Sequence, residues 1–177
     1  MSKPMIEKGD TFPLFNYMDR VAGEFVKISL NTEMKGKKVL IFGLPGAFTP
    51  TCSSKQLPGY ESLHNKFVEL GVQNIYCTSV NDGFTMKAWF ESQGVKNLKF
   101  LADGSGQFAR RIGMLVHKDN LGFGVRSWRY AAVINDGVIE VFLPEEGICD
   151  NCDFDPYEES TPENLMSQLL SLIHISE

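Results

Sequence analysis

Nowhere does the sequence hold an unbroken apolar run of about 18 residues, the length a membrane-spanning helix needs, so no membrane span is expected. Met1 to Asp10 carries no apolar stretch, so no secretory signal is expected either. Basic charge is not in excess: the net charge is −5 and both signs are scattered, which argues against the basic face of a nucleic-acid binder. Repeats, low-complexity tracts and long linkers are absent, so the 177 residues are expected to form one domain, 1–177. Cysteine is sparse, with four in the chain, too few for a disulfide scaffold. The expected compartment is therefore a reducing cytoplasm, where cysteines serve as core residues, metal ligands or catalytic thiols. Histidine is sparser still. His64, His117 and His174 have no paired spacing, so a zinc site at Cys149-x-x-Cys152 would lack two of its four ligands. The histidines themselves read as solvated or core residues.

What is present is an alternation of strands and helices. Phe12 to Leu30 reads as short strands and turns. Lys38 to Gly43 is a continuous apolar run, as in a strand buried on both faces, and Pro45-Gly46 ends it. Tyr60, Leu63, Phe67 and Leu70 repeat at helical spacing, with Gly71 at the stop. Asn74 to Val80 is a second buried strand. Asp82 can cap a helix with Phe84, Ala88 and Trp89 on one side. Leu98 to Leu101 is a third strand and Gly106 to Ile112 a short helix. Arg129 to Ile134 and Val138 to Phe142 flank Asn135-Asp136-Gly137, a hairpin signal. An acidic loop, Pro144 to Ser160, leads to a last helix capped by Thr161, with Pro162 first and Leu165, Met166, Leu169, Leu170 and Ile173 on its buried face. Ser171 to Glu177 reads as an unstructured tail. This order implies an α/β protein with a mixed central sheet and flanking helices. A thioredoxin-like fold with an N-terminal β extension fits it.

The chemistry concentrates in Pro45-Gly46-Ala47-Phe48-Thr49-Pro50-Thr51-Cys52. A buried strand ends, a Pro- and Gly-rich loop crosses the carboxyl edge of the sheet, and a helix begins near Thr51 or Cys52. A thiol in a first helical turn sits near unpaired N–H groups and the positive end of the helix dipole, both of which favour the nucleophilic thiolate. Thr49 has a hydroxyl that can donate to the thiolate or to a bound oxygen and accept from another donor. Pro45 can exclude water. Gly46 permits close backbone approach and can aim its N–H at a bound oxygen.

This octapeptide resembles the Pro-x-x-x-Thr-x-x-Cys signature of the peroxiredoxins, and with the following Ser53 it is similar to the branch called type II in plants and type five in animals. Val80-Asn81-Asp82 with Met86-Lys87-Ala88-Trp89, and Arg129-Tyr130-Ala131 entering the hairpin, are similar to the same branch. The resemblance spans about Ile6 to Leu172. It implies a thiol-dependent peroxidase that needs no metal or organic cofactor. Cys52 would attack hydrogen peroxide or an organic hydroperoxide and become a sulfenic acid. Thr49 would orient the peroxide, Pro45 and Gly46 would line its pocket, and Arg129 would stabilise the thiolate and the transition state. Arg126 is the rival cation. Glutaredoxin with glutathione, or thioredoxin, would be the reductant, and the resemblance implies a homodimer.

The remaining cysteines stay open at this level. Cys77 lies in an apolar strand and reads first as a core thiol, with a role as the cysteine that resolves Cys52 as the alternative the resemblance leaves open. Cys149 or Cys152 would resolve Cys52 in a two-cysteine mechanism, whereas Asp153-Phe154-Asp155-Pro156-Tyr157 is more similar to bacterial relatives resolved from outside. A thioredoxin-like disulfide oxidoreductase using Cys149 and Cys152 is a competing reading, although such enzymes place the pair where only Cys52 lies. A redox-responsive binding module on the same fold is a third, against which the Thr49–Cys52 pair speaks. The aromatics Phe48, Phe84, Trp89, Phe123 and Trp128 serve as core, or some of them line a pocket or a dimer face.

Overall fold

The computed structural model describes residues 5–176, and side chains as far as Ile173; the expectations for Met1 to Pro4, for the His174 side chain and for Glu177 lie outside the described residues. Strand β3 (Lys38–Gly43) is the centre of the molecule. Its apolar run packs on both faces, with every residue from Val39 to Gly43 buried. It pairs in parallel with β4 (Asn74–Ser79), which pairs in parallel with β5 (Lys99–Ala102). On its other side it pairs antiparallel with β8 (Tyr130–Asn135), and β8 with β9 (Val138–Pro144). The sheet order is β5-β4-β3-β8-β9, a mixed sheet of the expected kind.

Side-chain alternation along these strands divides the core in two. Val39, Ile41, Tyr130, Ala132 and Ile134 face a layer that contains α1 (Leu30–Met34) and α5 (Gln107–Arg111). Leu40, Phe42, Cys77, Ala131 and Val133 face α2 (Leu57–Ser62), α3 (His64–Glu69), α4 (Gly83–Ser92) and α6 (Pro162–Ser176). Cys52 belongs to this second layer. The N-terminal extension is a hairpin of β1 (Asn16–Val21) and β2 (Glu24–Ser29). Asp136 and Gly137 take positive φ in the β8–β9 turn, as the Asp-Gly pair requires.

Four expectations change. A second small hairpin, β6 (Leu115–His117) with β7 (Val125–Ser127), lies in a stretch without strand signals and carries Arg126. The buried face of α4 is Met86, Trp89 and Phe90, while Phe84 is exposed, because the Asp82 cap starts the helix at Gly83 and rotates Phe84 outward. Leu170 is exposed on α6, where Leu165 and Leu169 alone of the five expected residues are fully buried. The expected unstructured tail is helical as far as Ser176, since α6 continues to that residue.

Two outcomes test this frame. Gly43 lies opposite Tyr130 in the sheet, and a Cβ there would fall within the Tyr130 ring. Gly43→Ala should therefore cost about 1–3 kcal/mol by overpacking, read by urea denaturation. Asp82 accepts the Thr85 N–H at 2.9 Å, and this bond holds its carboxyl below the usual range. That stabilisation is present above the ordinary pKa of 3.8 and fades as pH falls below it. Asp82→Ala should cost about 1 kcal/mol at neutral pH, with the gap closing in acid.

Candidate active site

The loop after β3 is held from beneath. Leu44 N–H donates to the Thr78 carbonyl (3.2 Å) and Ala47 N–H to Asn81 Oδ1 (3.0 Å), an oxygen that also accepts from the Ser79 hydroxyl. Phe48 adopts φ +65°, a strained conformation for a non-glycine residue, with its ring out in solvent. The backbone is helical at Thr51, and the turn Cys52–Gln56 is π-helical, with the Leu57 N–H reaching the Cys52 carbonyl. Single π-turns concentrate at functional sites because they loosen the i→i−4 ladder and re-aim side chains.

Here the structure brings together residues far apart in sequence. The Arg129 guanidinium is buried, and Nη1 donates to Cys52 Sγ at 3.3 Å and to Gln56 Oε1. Nη2 donates to both oxygens of Asp155, at 2.7 and 2.9 Å. The Tyr157 ring lies 5.6 Å from the guanidinium carbon. Burial disfavours the Arg129 charge, yet the charges of Cys52 and Asp155 outweigh it and hold the guanidinium above its ordinary value. Gln56 is itself buried, and its amide donates to the Gly43 carbonyl.

Arg126 is placed differently. Its Nη1 donates to the Pro45 carbonyl (3.2 Å) and its Nε to the Phe123 carbonyl (3.1 Å). Burial lowers its pKa, partly offset by Cys52, so it shares the electrostatic neighbourhood without touching the sulfur. A Cβ on Gly46 would collide with Arg126 Nη1, which explains the glycine by close approach of a side chain. The Thr49 hydroxyl donates to the Gly46 carbonyl (2.7 Å), so its hydrogen is engaged locally while its oxygen keeps acceptor capacity.

Cys149 and Cys152 form a disulfide with each other. Cys52 and Cys77 are free thiols. Burial pushes the Cys77 thiol well up, with Cys52 adding to the effect, so Cys77 is held protonated in the core. Among the described residues, no cluster of three or more His, Cys, Asp or Glu is arranged to hold a metal ion, and no helix is long and apolar enough to cross a membrane. Of the aromatics, Trp89 and Trp128 are core, and the Trp89 indole donates to Ser53 (2.9 Å) beside the thiol. Phe123 is half-buried under Arg126.

Gln56, Asp155 and Tyr157 were not foreseen as site residues. Gln56 had a signal, lying one helical turn after Cys52. Asp155 and Tyr157 lie in a segment whose resemblance bears on the route of resolution, and only the return of the loop brings them to Arg129. Arg129→Met should slow alkylation of Cys52 by iodoacetamide at neutral pH by at least about tenfold. Arg129→Lys should slow it less, since a point charge replaces the fork. Peptide mass spectrometry of the alkylated thiol reads both.

The Redoxin family profile matches residues 7–148. A peroxiredoxin of Rhizobium etli is 60% identical over 134 residues, covering 76% of this chain and 75% of that protein. The hybrid peroxiredoxin hyPrx5 of Haemophilus influenzae is 38% identical over 170 residues, covering 96% of this chain and 69% of its own length. Among solved structures, reduced Prx3 of Vibrio vulnificus in complex with hydrogen peroxide superposes with a TM-score of 0.86 at 36% identity, covering 96% of this chain and 99% of that one. A thiol held against a buried arginine at the start of a helix, on this sheet and with these relatives, places the chain in the peroxiredoxins, in the type II or type five branch, as a thiol-dependent peroxidase.

Proposed function

We propose that Cys52 is the attacking thiol and that the substrates are hydrogen peroxide and organic hydroperoxides. The observation that carries this reading is the 3.3 Å contact between Arg129 Nη1 and Cys52 Sγ, a permanent cation against the sulfur in a buried setting. The Cys52 thiolate attacks the terminal oxygen of the hydroperoxide. The S–O bond forms as the O–O bond breaks, and the departing oxygen takes a proton to leave as water or an alcohol. Cys52 remains as a sulfenic acid. The Thr49 hydroxyl, its own hydrogen committed to Gly46, accepts the peroxide O–H and orients it. The Gly46 N–H and the Arg129 Nε–H, a buried donor left without a partner, are the donors for the oxygens, and Pro45 closes the pocket wall against water. The Vibrio vulnificus relative solved with hydrogen peroxide supports the choice of substrate.

A thiol from outside the chain recycles the sulfenic acid, supplied by glutaredoxin with glutathione or by thioredoxin. Two facts support this: Cys149 and Cys152 are joined to each other, and Cys77 is fully buried and held protonated. One observation favours a second reading, with Cys77 as the resolving thiol: it shares a core layer with Cys52 and feels its charge. The protein acts as a homodimer in this reading, with the exposed rings of Phe48 and Phe84 as the apolar surface to be covered. A reducing cytoplasm is the setting.

The test is the intact mass of the protein, with Cys52 and Cys77 reduced, after one equivalent of an organic hydroperoxide. A gain of one oxygen on Cys52 is the expected result. Loss of two hydrogens with a Cys52–Cys77 peptide supports the second reading. An unchanged mass overturns the assignment of Cys52.

A further inference from the structure

The loop between β9 and α6 is closed at both ends. At its base, the Glu145 N–H donates to the Arg129 carbonyl (3.0 Å), and the Glu145 carboxylate accepts the N–H groups of Glu158 (2.8 Å), Glu159 (3.0 Å) and Ser160 (2.7 Å). At its tip is the Cys149–Cys152 disulfide, with Asn151 between them at φ +53°. The tip is docked on β6 and the turn after it. The His117 N–H donates to Asp150 (2.8 Å), the Asn151 N–H to the His117 carbonyl (2.7 Å), and the Asn120 side chain to the Cys152 carbonyl (3.1 Å). Between tip and base, Phe154 meets Trp128 edge-on at 6.3 Å, and its ring lies against the space a Gly147 side chain would fill. Asp155 comes next, with both carboxylate oxygens on Arg129 Nη2. Three residues of chain, Asp153, Phe154 and Asp155, thus join the disulfide to the guanidinium that touches Cys52, with the half-exposed Phe154 ring braced on Trp128.

The Asp155 side chain is 47% exposed, so water screens its attraction to Arg129. The pair's geometry therefore depends on how firmly the loop backbone holds the carboxylate. We propose that Asp155 is a positioning residue that aims the Arg129 fork at Cys52, and that the Cys149–Cys152 pair is a redox-operated clip that sets how firmly it does so. The proposal rests on Cys52 being the attacking thiol. Closing the clip removes one hydrogen from each thiol and joins the sulfurs. The two electrons enter the O–O bond of a hydroperoxide, which leaves as an alcohol and water. Opening it takes two equivalents of a small thiol, which leave as their own disulfide while two thiols are restored here. With the clip open, Asn151 is no longer confined to its left-handed conformation. Phe154 and Asp155 gain freedom, and Gln56 becomes the principal orienting partner of Arg129.

The experiment is the single-turnover rate of reduced Cys52 with cumene hydroperoxide, followed by quench and intact mass. It compares wild type, Asp155→Ala, Asp155→Asn and the double variant Cys149→Ser/Cys152→Ser. The wild type and both Asp155 variants are run with the clip closed and after limited reduction, each state verified by peptide mapping. Asp155→Ala should slow the reaction about tenfold, and Asp155→Asn, which keeps an acceptor, should restore most of the rate. Opening the clip, or replacing both cysteines, should slow the wild type roughly threefold, and clip state should make no difference in Asp155→Ala. A wild-type rate in Asp155→Ala overturns the positioning role. A wild-type rate with the clip open, or a pair that stays as two thiols under peroxide, overturns the clip. Full turnover by Cys52→Ser would instead overturn the assignment of Cys52, an outcome distinct from either.

Discussion

A single buried cation organises this molecule. Taking a guanidinium out of water costs several kcal/mol unless charged and polar partners replace the lost hydration. Arg129 is given three such partners: the sulfur of Cys52, the amide oxygen of Gln56 and the carboxylate of Asp155. Each comes from a different requirement of the fold. Cys52 and Gln56 lie on the helical turn that follows β3, Arg129 directly precedes β8, and Asp155 is on the loop that follows β9.

The sheet makes this convergence possible. β3 and β8 are adjacent and antiparallel, with Gly43 opposite Tyr130, so the exit of β3 and the entry of β8 lie at the same edge. The chain leaving β3 turns through Pro45 and Gly46 and delivers Cys52 above that edge. The chain entering β8 delivers Arg129 to the same place. Close approach needs small residues there: Gly43 yields to the Tyr130 ring and Gly46 to Arg126. The thiol is buried and meets a charge that cannot be lost at working pH, the condition under which electrostatic stabilisation counts most.

The long loop before α6 differs in character from the sheet. It has no regular structure from Glu145 to Thr161 and yet is tied down along its length, by Glu145 at its base, by Trp128 and Phe154 in its middle, and by a disulfide at its tip. Its conformation rests on side-chain contacts and not on a backbone ladder. Such a segment can respond to chemistry at its tip without disturbing the core, whose central strands β4, β3 and β8 are held by neighbours on both sides.

The sequence by itself determined the parts that depend on local pattern. The buried run Lys38–Gly43, the Asp82 cap, the Asp136-Gly137 turn and the Thr161-Pro162 helix start all follow from spacing and backbone preference, and the structure has each of them. Cys52 was legible for the same reason, because a thiol at a strand-to-helix loop is a local arrangement. Local pattern failed where rotation or return of the chain matters. The outward turn of Phe84 depends on the phase of α4, and β6 and β7 are too short to show a period. Tertiary structure alone decided the rest. It brought the Arg129 guanidinium against the sulfur of Cys52, 77 residues away, and carried Asp155 and Tyr157 to the same guanidinium, 26 or more residues away in the chain. Contacts between residues so far apart are set by the order of strands and the path of loops, and no local property of either partner encodes them.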